Sequence, residues 1–583
     1  MSRFEIRDEF YLDDTPIKLI SGSIHYFRVP REYWYDRLCK LKALGCNCVE
    51  TYVPWNLHEP KPGCFDFSGN LDIAAFLRTA QDLGLLAIVR PSPYICAEWE
   101  FGGLPAWLLR ENDMVVRSYH SGYLAAVQRY YDALLPVLLP CQIDCGGNVL
   151  MMQVENEFGS YGKDKKYLQA LADMMHSGGV TVPLFTSDGP WGDLLHCGTI
   201  DGVFPTANFG SQADIQFDIL QNFHGEKRPL MCMEYWIGWF DHWGAEHHVT
   251  DADTSAYDLD KILARGSVNI YMFHGGTSFG LMNGSNYQDH LTPDITSYDY
   301  DALLTEDGQI TEKYKKFRQV IAKYTTIPEV TLPPAPRKAA YGKRKVTASA
   351  PLLPNIESLS NSVESPYPLP MEKLGQDYGY TLYRVAMDQT VSAGTLQLTH
   401  TADRANVYMD GKHLITLYDR ELDEACVPEG RIFGRQMDIL VENMGRVNYG
   451  VMLDDQHKGI AGKILVDNIR QDRITMYPLS LEEAQLEKIP FAEPVQHQQP
   501  AFYRVDFRVD KAADTYLELP GFGKGCVALN GRLLGRFWEV GPQKRLYIPA
   551  PWLKEGDNTL IIFETEGKSS GYVEFFDAQA WLR

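Results

Sequence analysis

Between residues 17 and 325 short apolar stretches alternate with amphipathic ones, and this alternation constrains the fold more than any other feature of the 583-residue chain. Eight stretches read as strands: 17–27, 46–55, 85–94, 148–157, 183–188, 202–209, 229–236 and 267–277. Helical spacing of apolar residues lies between them, as in 32–44, 71–83, 122–135, 165–176 and 255–265. A further amphipathic stretch near 311–324 closes the run. Eight strands separated by helices over this length predict a (β/α)8 barrel rather than an open sheet. In that fold catalytic groups sit at the C-terminal ends of the strands.

After Tyr324 helical periodicity stops, nine prolines fall between Pro328 and Pro370, and basic residues appear at Arg337, Lys338, Lys343, Arg344 and Lys345. That composition predicts a boundary and a linker. Beyond it, short alternating strands separated by Asp-Gly, Asn-Gly and Pro-Gly turns predict antiparallel sandwiches. Tyr383-Arg384-Val385 recurs as Tyr503-Arg504-Val505, and Val407 to Lys412 recurs as Val527 to Arg532, both at an offset of 120 residues. Equal offsets point to one sandwich design used twice. The expected organisation is a multidomain chain: a barrel over residues 1–325, a Pro-rich linker with connecting strands over 326–378, and two all-β, jelly-roll-like sandwiches over 379–490 and 491–583.

Composition narrows the partners. A hydrophobic share of 45% and a charged share of 22% belong to an ordinary globular protein. A net charge of −21 repels nucleic acid phosphates and anionic membrane surfaces, so neither is an expected partner. The N-terminal residues Met1 to Glu9 mix charge with apolar groups, unlike a secretory signal, and no run approaches a membrane span. Eleven cysteines are scattered without a disulfide or zinc framework, which suits free thiols in a reducing compartment. The expected location is cytoplasmic.

Two strand ends carry acids. The fourth ends in Gln153-Val154-Glu155-Asn156-Glu157, and alternation of side chains along a strand places Glu155 and Glu157 on one face, with Glu157 nearer the rim. The seventh ends in Glu234-Tyr235-Trp236-Ile237-Gly238-Trp239, an acid followed by aromatic residues. Two carboxylates at the open end of a barrel among aromatic rings are what glycoside hydrolysis requires: one protonates the leaving oxygen, the other attacks or stabilises the oxocarbenium-like centre. Tyr52, Asn56 and Glu98, at neighbouring strand ends, supply hydrogen bonds suited to hydroxyl groups.

Gln153 to Gly159, Tyr94 to Trp99, Thr51 to Pro60, Ser297 to Asp301 and Asn443 to Gly450 together resemble the β-galactosidases of glycoside hydrolase family thirty-five. The resemblance implies a retaining exo-hydrolase that acts on a galactoside and releases terminal β-linked galactose, with Glu157 as acid/base, Glu234 as nucleophile and Asn156 at the sugar 2-hydroxyl. It further implies that Tyr52, Ile95, Cys96, Ala97, Glu98, Tyr271 and Tyr300 line the galactose pocket and that Trp239 stands at its edge. Trp236 departs from relatives that carry Tyr there, which leaves linkage preference open. No metal or other cofactor is implied, since double displacement through two carboxylates needs none. Assembly into a homo-oligomer stays open. Two other readings compete: a metal-dependent sugar isomerase with Glu155, Glu157 and Glu234 as ligands, and a non-catalytic carbohydrate-binding protein whose affinity resides in the sandwiches.

Overall fold

A computed structural model describes residues 2–387, 394–428, 432 and 434–582. All eight expected barrel strands form: β1 (Ile20–Ile24), β2 (Cys48–Tyr52), β3 (Leu86–Arg90), β4 (Val149–Gln153), β5 (Leu184–Asp188), β6 (Phe204–Phe209), β7 (Met231–Trp236) and β8 (Ser267–His274). They pair in sequence order and close, β8 against β1, into a barrel. Each strand is shorter than its apolar stretch because the flanking residues turn out of the sheet at the rim. The helices follow the spacing of the sequence. In α1 (Ile73–Asp82) the buried residues Ile73, Phe76, Leu77 and Ala80 repeat at helical intervals, and the Asp72 side chain accepts a hydrogen bond from the Ala75 amide at 2.9 Å. Among the described residues the longest helix not read from the sequence is α2 (Ala213–His224), which begins after Gln212 with no side-chain cap, so the usual start signal is missing.

The connecting strands expected within 326–378 join the last sandwich. Residues Gly342–Lys345 pair antiparallel with Tyr572–Phe576, and Ala348–Pro351 pair with Ala501–Val509. The last sandwich is therefore begun before the first one and completed after it. Their distant partners were not read from the sequence; both strands lie at sheet edges, where Gly342–Lys345 alternates between half-buried and exposed and carries basic side chains.

The 120-residue repeat is structural. Arg404–Met409 pairs with Lys412–Tyr418, and Lys524–Leu529 with Arg532–Trp538; the register shifts between Val407 and Tyr408 in one hairpin and between Val527 and Ala528 in the other. Both turns place two residues at positive φ, Asp410 and Gly411, then Asn530 and Gly531, as a tight two-residue hairpin turn demands.

The domains meet over apolar surface and buried charge. Leu281 of the barrel, Leu382 and Tyr408 of the first sandwich, and Phe502 and Phe563 of the second belong to one buried cluster. Arg446, fully buried, reaches from the first sandwich to Glu100 of the barrel at 2.6 Å and also pairs with Glu372. Beside it Gly445, at φ 118°, lies so close to the barrel that an added Cβ would stand 2.5 Å from the Asn283 carbonyl oxygen. Truncation after Tyr324 exposes the apolar cluster and strands Glu100 in a buried site without its cation. The expected product aggregates or is weakly active by size-exclusion chromatography and assay; a monodisperse barrel with full activity would refute this coupling.

Candidate active site

A cavity of about 430 Å³ opens at the C-terminal end of the barrel. Tyr52, Cys96, Ala97, Glu98, Asn156, Glu157, Glu234, Trp239, Tyr271 and Tyr300 all line it, so ten of the eleven residues that the family resemblance implies converge. Ile95 is the exception: its side chain is fully buried, beside Gly103, and only its carbonyl reaches the site, 3.4 Å from Asn156 Nδ2. Asn56 also stays outside, its amide oxygen accepting from the Trp99 indole at 3.0 Å.

The acidic pair on the fourth strand end does not share a face. β4 stops at Gln153, and Glu155 and Glu157 then adopt left-handed backbone conformations, φ 58° and 46°. This breaks the strand alternation on which the expectation rested, at a cost of roughly 1–2 kcal/mol per residue. Glu155 is turned away from the cavity, gripped by Arg117 at 3.0 and 2.9 Å and by the Tyr167 hydroxyl at 2.9 Å. The trio required by the isomerase reading is therefore separated. Among the described residues no group of three or more His, Cys, Asp or Glu side chains is placed to hold a metal ion.

Glu234 is aimed by a bulge. β7 carries an extra residue relative to both neighbours, the register shifting after Cys232 against β6 and β8, a device that redirects a side chain. Its Oε1 accepts from Arg90 Nη1 at 2.6 Å and from the Tyr52 hydroxyl at 2.7 Å; its Oε2 accepts from the Trp236 indole at 3.0 Å. Glu157 has weaker support. Asn208, paired with Glu234 across β6 and β7, donates to Glu157 Oε1 at 2.9 Å. Burial, reinforced by the charge of Glu234, pushes the Glu157 carboxyl up to about 7. Glu234 is thus paired directly with a cation, whereas Glu157 is not.

Asn156 completes the floor: its Oδ1 accepts from Arg90 Nη2 at 2.7 Å and lies 2.9 Å from the Tyr52 hydroxyl. At the far side, Glu98 bonds to the Tyr298 hydroxyl and is raised to about 8 by burial and then by the neighbouring Asp294 charge. At neutral pH it is mostly protonated and able to donate to a sugar hydroxyl.

The sequence patterns 'Glycosyl hydrolases family 35', 'Beta-galactosidase, first all-beta domain' and 'Beta-galactosidase, galactose-binding domain' match residues 9–324, 368–480 and 500–558. The chain belongs to glycosyl hydrolase family 35. It is 42% identical to "Beta-galactosidase" of Homo sapiens, with 97% of this chain and 87% of the relative aligned. It is also 42% identical to "Beta-galactosidase" of Xanthomonas manihotis, covering 93% and 90%, and 41% identical to "Beta-galactosidase-1-like protein 3" of Homo sapiens, covering 96% and 86%.

Sequence reading of this glycoside hydrolase missed Arg90, Asn208 and Tyr298. Arg90 and Tyr298 stand inside the strand-end motifs that were read, Arg90 at the end of β3, and an arginine in an apolar strand is itself a signal of a buried partner. Asn208 had no neighbouring acid in sequence to mark it. Arg90→Met leaves Glu50, 3.7 Å away, and Glu234 buried without their cation, which should cost about 3–5 kcal/mol of stability. Denaturant unfolding checks it, with Arg90→Lys expected to retain more stability because it keeps the charge.

Proposed function

We propose that Glu234 is the nucleophile and Glu157 the acid/base of this retaining exo-β-galactosidase, which releases terminal non-reducing β-linked galactose from oligosaccharides or glycoconjugate glycans by double displacement. The observation that carries the assignment is the unequal environment of the two acids. Arg90 and Tyr52 hydrogen-bond Glu234 and hold it in place to attack the anomeric carbon. Glu157, near 7, keeps a proton for the glycosidic oxygen.

The coupling also explains the second step. Once Glu234 becomes a neutral glycosyl ester, the negative charge that helps raise Glu157 is gone. The Glu157 carboxyl then falls and can take a proton from the attacking water, so one residue serves as acid and then as base. Asn156, with Oδ1 occupied by Arg90, presents Nδ2 for the sugar 2-hydroxyl. Tyr271, Tyr300, Cys96, Ala97 and Glu98 enclose the galactose, and Trp239 borders it. A cytoplasmic, reducing location is supported by all eleven cysteines being free thiols.

A 2-fluoro galactoside with a good leaving group should form a stable ester on Glu234, read by peptide mapping, because the fluorine slows the second step most. Azide should rescue Glu157→Ala to give β-galactosyl azide; an ester on Glu157 would reverse the assignment. The pH profile gives an independent check. The protonated fraction of Glu157 is lost as pH rises through about 7, so kcat/KM should fall on the alkaline side of that value. The Asn208 hydrogen bond favours the ionised form, so Asn208→Ala should shift the alkaline limb to higher pH.

A further inference from the structure

The mechanism uses only the deep half of the cavity. From Tyr300 a row of rings runs outward, to Trp239 (centroids 6.5 Å apart), then Trp236 (5.8 Å) and then Trp191 (6.2 Å). Each step is comparable to the advance of one pyranose unit along a glycan. Trp236 touches the nucleophile through its indole N–H and so stands where galactose ends and the aglycone begins. Trp191 is one ring further out, lines the same cavity and contacts neither acid.

Trp191 follows β5 in the turn Gly189-Pro190-Trp191 and is 45% exposed. A surface indole this open would be unremarkable alone, but this one is seated. An added Cβ on Gly189 would lie 2.4 Å from the Trp191 ring, so glycine is what lets the indole fold back against its own main chain. Another part of the lining is polar. The hairpin of Ser285–Tyr287 and Leu291–Pro293 brings Asn286, Gln288 and Thr292 to the cavity. The Asn286 amide oxygen is shielded from solvent, and among the described residues it has no hydrogen-bond partner. Rotation of the Asn286 side chain into the cavity is what would bring this unpaired acceptor to a ligand hydroxyl. An aromatic platform and amide side chains lining one cavity are complementary to a sugar, whose C–H face stacks and whose hydroxyls hydrogen-bond.

We propose that Trp191 and Asn286 form an outer aglycone subsite, which makes this enzyme prefer β-galactosides whose aglycone is at least a disaccharide. The inference rests on the galactosidase reading and adds its substrate class. Trp191 carries the second aglycone sugar and Asn286 accepts from its hydroxyls, while Trp236, Trp239 and Tyr449 surround the first.

The test compares kcat/KM for a galactosyl disaccharide aglycone, a galactosyl monosaccharide and nitrophenyl β-galactoside. In the wild-type enzyme the substrate with the disaccharide aglycone should have the higher kcat/KM of the two oligosaccharides. Trp191→Ala should lower the ratio of the longer to the shorter oligosaccharide about five- to tenfold, the magnitude expected for loss of one aromatic stacking contact. Trp191→Phe should restore most of that ratio, and Asn286→Ala should lower it about threefold, as for one hydrogen bond. An unchanged ratio in Trp191→Ala, or a Phe variant as poor as the Ala variant, overturns the subsite. Failure of the wild-type enzyme on nitrophenyl β-galactoside would instead overturn the galactosidase reading itself, so the two failures are distinguishable.

Discussion

A single buried guanidinium organises the catalytic floor. Arg90 is fully excluded from solvent, and its donors are divided among Gln153, Asn156 and Glu234, with Glu50 3.7 Å away and the Tyr52 ring face 4.1 Å away. A cation in such a place persists only where charge and hydrogen bonds compensate for lost hydration. The same compensation fixes the ends of β2, β3, β4 and β7 in one constellation. Arg90 fixes the position of Glu234, and Glu157 is raised by its burial and then by the charge of Glu234. The placement of both acids thus depends on one arginine.

A second buried guanidinium performs a comparable role between domains. Arg446 ties Glu100 of the barrel to Glu372 of the first sandwich, and the chain that continues from it delivers Asn448 and Tyr449 to the barrel mouth. The sandwiches are therefore not spectators: the first contributes a half-exposed aromatic ring to the cavity wall. Arg536 of the second sandwich in turn donates to the Asn443 carbonyl at 2.7 Å, bracing the same segment from the other side. The active-site rim is thus braced by contacts among all three units.

Local chemistry made much of this legible in advance. Apolar runs alternating with amphipathic ones pointed to a barrel, because eight strands and helices over this length suit a closed parallel sheet better than an open one. Strand-end acids beside tryptophans required a cavity for a hydroxyl-rich ligand. Turn residues at a constant offset required two like hairpins, and the matching register shifts bear that out. Each inference depended on residues near one another in sequence, where backbone period and residue type leave little freedom.

What the chain could not disclose by itself depended on long-range placement. Glu155 and Glu157 are equivalent by strand period, and only the left-handed turn after Gln153, with Arg117 arriving from elsewhere, sends one into a structural ion pair and the other into the cavity. Asn208 became a partner of Glu157 because β4, β5 and β6 are successive neighbours around the barrel, and residues 342–351 pair with strands of the far C-terminal segment. Sequence determined which elements exist and which residue types reach the rim. Tertiary structure decided which acid is paired, which is desolvated and which domain closes the site, because hydrogen-bond partnership and loss of solvent are properties of neighbours in space.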